Sequence, residues 1–126
     1  PHSYQGVSYP YYIKPENNGL MAFAGVYSET IEGDFTASLI TCTANQQLTE
    51  IHNKKSKRGD YRMPLILDEI EYDTWLNGNY GQLLNKEVNT KLNAYPVSRG
   101  LFSNKVDSNV LSILDRVEFK KNNLFT

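Results

Sequence analysis

Runs of apolar residues separated by turn-forming residues predict several short strands in the first half of the chain. The runs are rich in aromatic and β-branched residues, which favour strands, and they lie at 9–14, 20–27, 35–43 and 63–67. The segment 15–19 contains Asn and Gly, which tolerate positive φ, so it is typical of a turn. We therefore expect the first two runs to pair as a hairpin.

The stretch 44–52 changes to a helical period. Its apolar residues recur at i, i+4 and i+7, which places them on one face of a short helix. Thr43 precedes this face and is the expected N-cap. His52 would then stand at the end of the helix, directly before a run of basic residues.

Weaker patterns continue toward the carboxyl end. A capping-box pattern opens a helix at Asp68 that stops at Asn77 and Gly78. The other expected elements are a helix over 81–92, strands over 95–98 and 110–119, and a frayed tail over 120–126. Strands first, then short helices and strands again, predict an α+β domain with a mainly antiparallel, barrel-like β-sheet and short flanking helices.

Composition narrows the class of protein. The length of 126 residues predicts one domain, and 40% apolar with 21% charged residues is typical of a globular chain. No apolar run approaches the roughly 18 residues that a membrane span needs, so we expect no membrane partner and a cytoplasmic location. One cysteine and two histidines are too few for a structural zinc site, so we expect no metal and no other cofactor.

Charge is nearly balanced overall but unevenly distributed. The net charge of −1 gives the whole molecule no strong attraction for nucleic acid. Five of the 13 basic residues crowd into nine positions, at Lys54, Lys55, Lys57, Arg58 and Arg62. The loop 53–62 is therefore a candidate phosphate-binding segment, and a solvated surface loop is the alternative interpretation.

His52 is the first candidate for chemistry, because an imidazole with a pKa of about 6.5 exchanges protons near neutral pH. Its place between a helix end and a cationic loop would keep an anionic ligand within reach. Cys42 is nucleophilic by type, so a thiol hydrolase that uses Cys42 and His52 is one alternative function. A buried, inert thiol is the competing interpretation, since Cys42 lies inside a predicted strand.

Three segments, in this order, resemble the SOS response-associated peptidase (SRAP) family of abasic-site processing proteins. They are Ile40-Thr41-Cys42-Thr43-Ala44-Asn45, Ile51-His52 and Arg62-Met63-Pro64-Leu65-Ile66-Leu67. The family pattern has a strand that ends near Ile-Thr-Thr, an Ala-Asn helix start, an Ile-His pair and an Arg-Met-Pro followed by apolar residues. The order and spacing of these segments carry the resemblance.

The resemblance implies a function. Members of the family bind single-stranded DNA and trap abasic sites with an amino-terminal cysteine, whose amine forms a Schiff base with the sugar aldehyde and whose thiol closes a thiazolidine. His52 matches the family's histidine and is implied to be the acid/base residue. Thr41 would line the pocket and Arg62 would contact the DNA backbone. A self-processing peptidase activity, a lyase activity and association with the nucleoid are implied in the same way.

Two features depart from the family pattern. The chain starts at Pro1, so we expect 1–126 to be the carboxy-terminal part of a single SRAP-like domain, inactive without the amino-terminal portion that bears the cysteine. Nine residues separate His52 from Arg62, where many members have His-x-Arg-Met-Pro. Lys54 keeps the close spacing and is a rival for the arginine's contact. A noncatalytic module that binds single-stranded DNA is the alternative function.

Overall fold

The computed structural model describes residues 1–119, and within them ten short strands and three short α-helices follow one another. The strands are β1 (His2–Tyr4), β2 (Val7–Tyr9), β3 (Tyr11–Pro15), β4 (Ala22–Phe23), β5 (Gly25–Glu29), β6 (Phe35–Leu39), β7 (Thr41–Thr43), β8 (Arg62–Pro64), β9 (Ile66–Leu67) and β10 (Leu92–Pro96). The helices are α1 (Gln46–Ile51), α2 (Tyr72–Leu76) and α3 (Gly81–Leu84). The tail predicted over 120–126 lies outside the described residues.

All the sheets formed by these strands are two-stranded and antiparallel. The pairs are β1 with β2, β3 with β10, β4 with β9, β5 with β6, and β7 with β8. The mixed α+β content and the antiparallel pairing are confirmed. None of the sheets in residues 1–119 closes into a barrel, so the barrel-like part of the prediction is not supported.

Three of the four predicted apolar runs each break at one residue, where the strand changes its partner. Ala24 lies between β4 and β5, Ile40 between β6 and β7, and Leu65 between β8 and β9. Their backbones form a closed ring of hydrogen bonds at 2.9 Å: Ala24 N–H donates to Leu65, Leu65 N–H to Ile40, and Ile40 N–H to Ala24. We call these three residues the three-way junction. It explains why predicted single strands are observed as pairs of short ones.

The hydrophobic core surrounds the junction. Ala24 and Leu65 are fully buried. The other buried members of this cluster are Cys42, Leu48, Met63, Ile66, Leu67, Trp75, Leu83, Val88 and Leu92. The Trp75 indole N–H donates to the carbonyl of Gly25 at 3.1 Å, which ties α2 to the start of β5. Burial of apolar surface thus packs three of the sheets and all three α-helices against one hydrophobic core.

The hairpin predicted from 9–14 and 20–27 is wrong. The turn after β3 exists, and Asn18 adopts a φ of 58° in it. However, β3 pairs with β10, from Pro15 opposite Leu92 to Tyr11 opposite Pro96. The second run instead supplies β4 and β5 to the junction. The turn residues correctly predict that the chain reverses. The strand pairing that follows depends on which apolar residues are buried against each other.

Helix limits also differ from expectation. The N-cap of α1 is Asn45, not Thr43, and its side-chain oxygen accepts the N–H of Leu48 at 2.9 Å. The helix predicted over 81–92 ends after Leu84. Beyond its end, the Asn45 side-chain amide donates to the carbonyl of Val88 at 2.9 Å, which ties this segment to the start of α1.

The helix predicted from Asp68 has the expected limits, whereas the strand predicted over 95–98 is observed as β10 at Leu92–Pro96. The helix that opens at Asp68 begins with a 3₁₀ turn over Glu69–Glu71, continues as α2 and stops at Asn77. The predicted strand over 110–119 contains instead a 3₁₀ turn at Leu111–Leu114 and one isolated bridge, between Val97 and Arg116. None of the described helices has the length and apolar character to cross a membrane.

Candidate functional site

Helix α1 places His52, as the sequence predicts. His52 is the residue at which the helix ends, and its backbone N–H donates to the carbonyl of Leu48 at 2.8 Å. The helix is fixed at the other end by Asn45 and along its side by Gln47, whose amide donates to the carbonyl of Leu92 at 2.7 Å. The imidazole therefore stands where the helix passes into the following loop, at a point fixed by these hydrogen bonds.

Strand β1 is bonded to both sides of His52. The ring Nδ1–H of His2 donates to the carbonyls of Glu50 and Ile51, at 2.9 and 3.1 Å. Beyond His52, Asn53 accepts the backbone N–H of Ser3 at 2.7 Å and donates to the carbonyl of Ser3 at 2.9 Å. The first residues of the chain thus lie directly beside the candidate acid/base residue.

Aromatic stacking holds β1 in this position. Phe119 stacks on the rings of Tyr4 and His2, with centroids 4.7 and 5.6 Å apart. Tyr9 and Tyr11 complete the cluster around the same phenyl ring. Aromatic pairs at these separations add to the free energy of burial. The end of the described chain therefore fixes its beginning against α1.

His52 is half-buried and has a lowered pKa. Burial is the main cause, because it disfavours the charged imidazolium, and the positive charges of the amino terminus and Lys54 act in the same direction. His52 is thus neutral at pH 7 and able to accept a proton. The pKa of His52 is lower in the folded state than in the unfolded state, so the unfolded chain takes up this proton first. His52 therefore lowers the free energy of unfolding as the pH falls from 6.5, the pKa of the unfolded state, through the lower pKa of the folded state.

The charge of Lys54 offers a test of this arrangement. We expect Lys54→Gln to raise the pKa of His52 toward, but not beyond, the ordinary value of 6.5, because burial and the amino terminus still oppose protonation. A proton NMR titration of the imidazole measures the midpoint. Lys105→Gln, which removes a lysine that is not among the causes of the shift, should leave the midpoint in place. An unchanged midpoint in Lys54→Gln would contradict the assigned proximity.

Thr41 and Arg62 come together on the sheet of β7 and β8. The Arg62 guanidinium donates to the backbone carbonyl of Thr41 at 2.8 Å and to its hydroxyl at 3.2 Å. A second guanidinium nitrogen lies 3.5 Å from the carboxylate of Asp60. Both residues open onto a groove of about 440 Å³, which we call the basic groove, lined by Thr41, Ser56, Lys57, Arg58, Asp60 and Arg62.

The loop that forms the rim of the basic groove is internally bonded. Ser56 N–H donates to the carbonyl of Asp60 at 2.7 Å, and Gly59 N–H to the carbonyl of Ser56 at 3.0 Å. The Ser56 hydroxyl bonds the Asp60 carboxylate and also accepts the N–H of Arg58 at 3.1 Å. Gly59 has a φ of 86°, in the left-handed region that favours glycine. This turn holds Lys57 and Arg58 at the groove.

The four predicted site residues thus fall into two groups. His52 and Lys54 interact electrostatically beside β1, and Thr41 and Arg62 are bonded to each other in the basic groove. In residues 1–119 no hydrogen bond or ion pair joins His52 to Thr41 or to Arg62. Lys54 does not line the groove. The structure therefore gives Arg62, rather than Lys54, the place beside Thr41.

Cys42 is buried in β7, and burial raises the pKa of its thiol despite the opposing charges of Arg62 and Lys86. A thiol with a raised pKa stays protonated near neutral pH and is a poor nucleophile. This environment is the buried, inert one expected from its position in a strand. It does not favour the hydrolase that would use Cys42 and His52.

Sequence reasoning missed three residues of the site. Asn53 and His2 bind β1 to the residues around His52, and Asp60 pairs with Arg62. The sequence carried a signal only for Asp60, as the one acidic residue within the basic run. Among residues 1–119, no group of three or more His, Cys, Asp or Glu side chains is placed to hold a metal ion.

The fold has a relative of known structure. It matches the crystal structure of a protein from Bacteroides thetaiotaomicron with a TM-score of 0.73 and 27% sequence identity over 93% of this chain. The match covers 52% of that protein, so the chain spans about half of its length. In a comparison with curated proteins, none matches the chain.

The sequence itself defines the family. The model of the SOS response associated peptidase (SRAP) family matches residues 2–104. The chain belongs to this family, as the resemblance predicted. Both His52 and the basic groove lie within the matched residues. The family's name associates its members with the SOS response.

Proposed function

We propose that this chain is the carboxy-terminal part of an SRAP domain that processes abasic sites in single-stranded DNA by covalent crosslinking. The observation that supports this most is the bonding of β1 to both sides of His52. A polypeptide joined to Pro1 would enter the molecule beside the imidazole. The family's amino-terminal cysteine would belong to such a segment, so the complete site would combine both portions.

The proposed chemistry needs a group that moves protons. The α-amine of the cysteine adds to the aldehyde of the ring-opened sugar and, with loss of water, forms a Schiff base. The thiol then adds across the C=N bond and closes a thiazolidine. Each addition transfers a proton, and sugar-ring opening transfers another. His52, kept neutral by burial, is our choice for this acid/base role.

The cationic residues would hold the strand. A guanidinium binds phosphate through paired hydrogen bonds, so Arg62, oriented by Thr41, is the proposed phosphate contact. Lys54 would add positive charge beside His52. The peptidase label then refers to removal of residues that precede the cysteine, and a lyase activity would use the same aldehyde chemistry.

An abasic oligonucleotide tests this function. In the protein that carries the cysteine-bearing portion, we expect a product with abasic single-stranded DNA that survives denaturing electrophoresis, and none with the intact strand. The 126-residue chain alone should bind both strands without forming the product. Equal binding and no covalent product from the complete protein would favour the noncatalytic single-strand binding module. That alternative is supported by the absence, among residues 1–119, of a hydrogen bond or ion pair between His52 and the groove residues Thr41 and Arg62.

A further inference from the structure

The guanidinium of Arg62 is already engaged by a carboxylate in the basic groove. Asp60 lies 3.5 Å from one of its nitrogens, while Thr41 binds another. The pKa of the Asp60 carboxyl is lowered, chiefly by the hydrogen bond from Ser56, with smaller contributions from the charges of Arg62 and Arg58. Asp60 is therefore ionised at neutral pH and occupies the place that an anionic ligand would take.

We propose that Asp60 is an internal stand-in for a DNA phosphate: it covers Arg62 in the free protein and is displaced when a phosphodiester of single-stranded DNA enters the basic groove. The choice of DNA as the ligand rests on the proposed function. The carboxylate and the phosphate compete for the same face of one guanidinium. Asp60 thus lowers the affinity of the groove and sets a threshold for binding.

The geometry allows this exchange. The side chains of Arg62 and Asp60 are 38% and 43% exposed, and an ion pair in water contributes little to stability. The turn that carries Asp60 is closed by backbone hydrogen bonds between Ser56 and Asp60 and between Gly59 and Ser56, which do not depend on the carboxylate. The side chain can therefore rotate away, with loss of its bond to the Ser56 hydroxyl, while the backbone bonds keep the rim of the groove in shape.

Charge favours the phosphate once DNA is present. The groove contains Lys57, Arg58 and Arg62 against a single carboxylate. A DNA strand brings several phosphates and releases condensed counterions on binding, whereas Asp60 supplies one charge. Lys57 and Arg58, held by the turn at the mouth of the groove, would bind the same or the neighbouring phosphate.

Asp60→Asn tests the proposal in the 126-residue chain. Asparagine keeps an acceptor for the Ser56 hydroxyl but removes the charge that covers Arg62. We expect this variant to bind a fluorescein-labelled oligothymidine of about 12 nucleotides roughly two- to fivefold more tightly than the unaltered chain, by fluorescence anisotropy. Asp34→Asn, in the turn between β5 and β6, changes the net charge equally and should have a smaller effect.

A second variant tests the phosphate contact itself. Arg58→Gln should weaken binding and reduce the slope of log K against log salt by about 0.7, the value for one phosphate contact to a single strand. Thermal unfolding of each variant checks that the fold is retained.

Each remaining outcome counts against the proposal. It is overturned if Asp60→Asn binds no more tightly than Asp34→Asn, or if neither the unaltered chain nor Asp60→Asn binds the oligonucleotide. Because the oligothymidine has no abasic site, this test is separate from the crosslinking test. If the complete protein forms no crosslink but Asp60→Asn still binds the oligothymidine more tightly, the abasic-site function is wrong and the role of Asp60 in the basic groove remains supported.

Discussion

Replacing His52 by alanine is expected to slow formation of the abasic-site crosslink by about 10²- to 10⁴-fold, the usual contribution of a general acid/base residue. The experiment uses the protein that carries the cysteine-bearing portion, because the chain alone should form no crosslink. Most of the affinity for single-stranded DNA should remain, since the cations of the basic groove are unchanged. Denaturing gels give the rate of crosslinking, and anisotropy gives the affinity.

The pH dependence provides an independent check. The pKa of His52 is lowered by burial, so the neutral imidazole persists to a pH below its ordinary value of 6.5. Protonation of the attacking cysteine amine slows crosslinking in both proteins. The ratio of the rate of unaltered protein to that of His52→Ala should therefore stay constant above pH 6.5 and fall only below it. Unchanged rates of crosslink formation and release in His52→Ala would exclude His52 from the mechanism.

Leu65→Ala is expected to lower the free energy of unfolding by about 2–5 kcal/mol, the range for truncating a buried leucine. Leu65 has no exposed surface and lies at the three-way junction, where β4–β5, β6–β7 and β8–β9 meet. A cavity there removes packing from all three at once. Urea unfolding followed by tryptophan fluorescence measures the change, because Trp75 belongs to the same core.

Leu20→Ala is the matched control for this substitution. Leu20 is 98% exposed, so the same truncation should change the free energy of unfolding by no more than about 0.5 kcal/mol. Equal effects of the two substitutions would contradict the position of Leu65 in the core. If Leu65→Ala still folds, its affinity for single-stranded DNA would show whether the basic groove depends on the junction. The two are adjacent, since the groove residue Thr41 directly follows Ile40.

The sequence predicts local structure here better than pairing. The helical spacing of Ala44, Leu48 and Ile51 correctly predicted α1 and the position of His52. The break at Ile40 had no such signal, because a strand that changes partner has the same apolar pattern as one that continues. Pairing depends on contacts between residues far apart in the chain, such as Tyr11 with Pro96, which no local pattern contains.

The candidate site shows the same division. Residue type and position indicated His52, Lys54 and Arg62, and the family resemblance implied Thr41. The structure joins Thr41 and Arg62 directly. The contact of β1 with α1 was not predictable, since it depends on hydrogen bonds between His2 and the carbonyls of Glu50 and Ile51. Backbone carbonyls carry no sequence signal, so their partners become visible only in three dimensions.

The three-way junction also explains how the connection between His52 and Arg62 can vary in length. The bond from Leu65 to Ile40, together with the pairing of Cys42 with Met63, fixes the register of β8 against β7. Residues inserted ahead of β8 cannot slide it along its partner and must bulge into solvent, at a small entropic cost. A change in the length of this loop would therefore leave Arg62 opposite Thr43, although it would alter the turn that carries Lys57, Arg58 and Asp60.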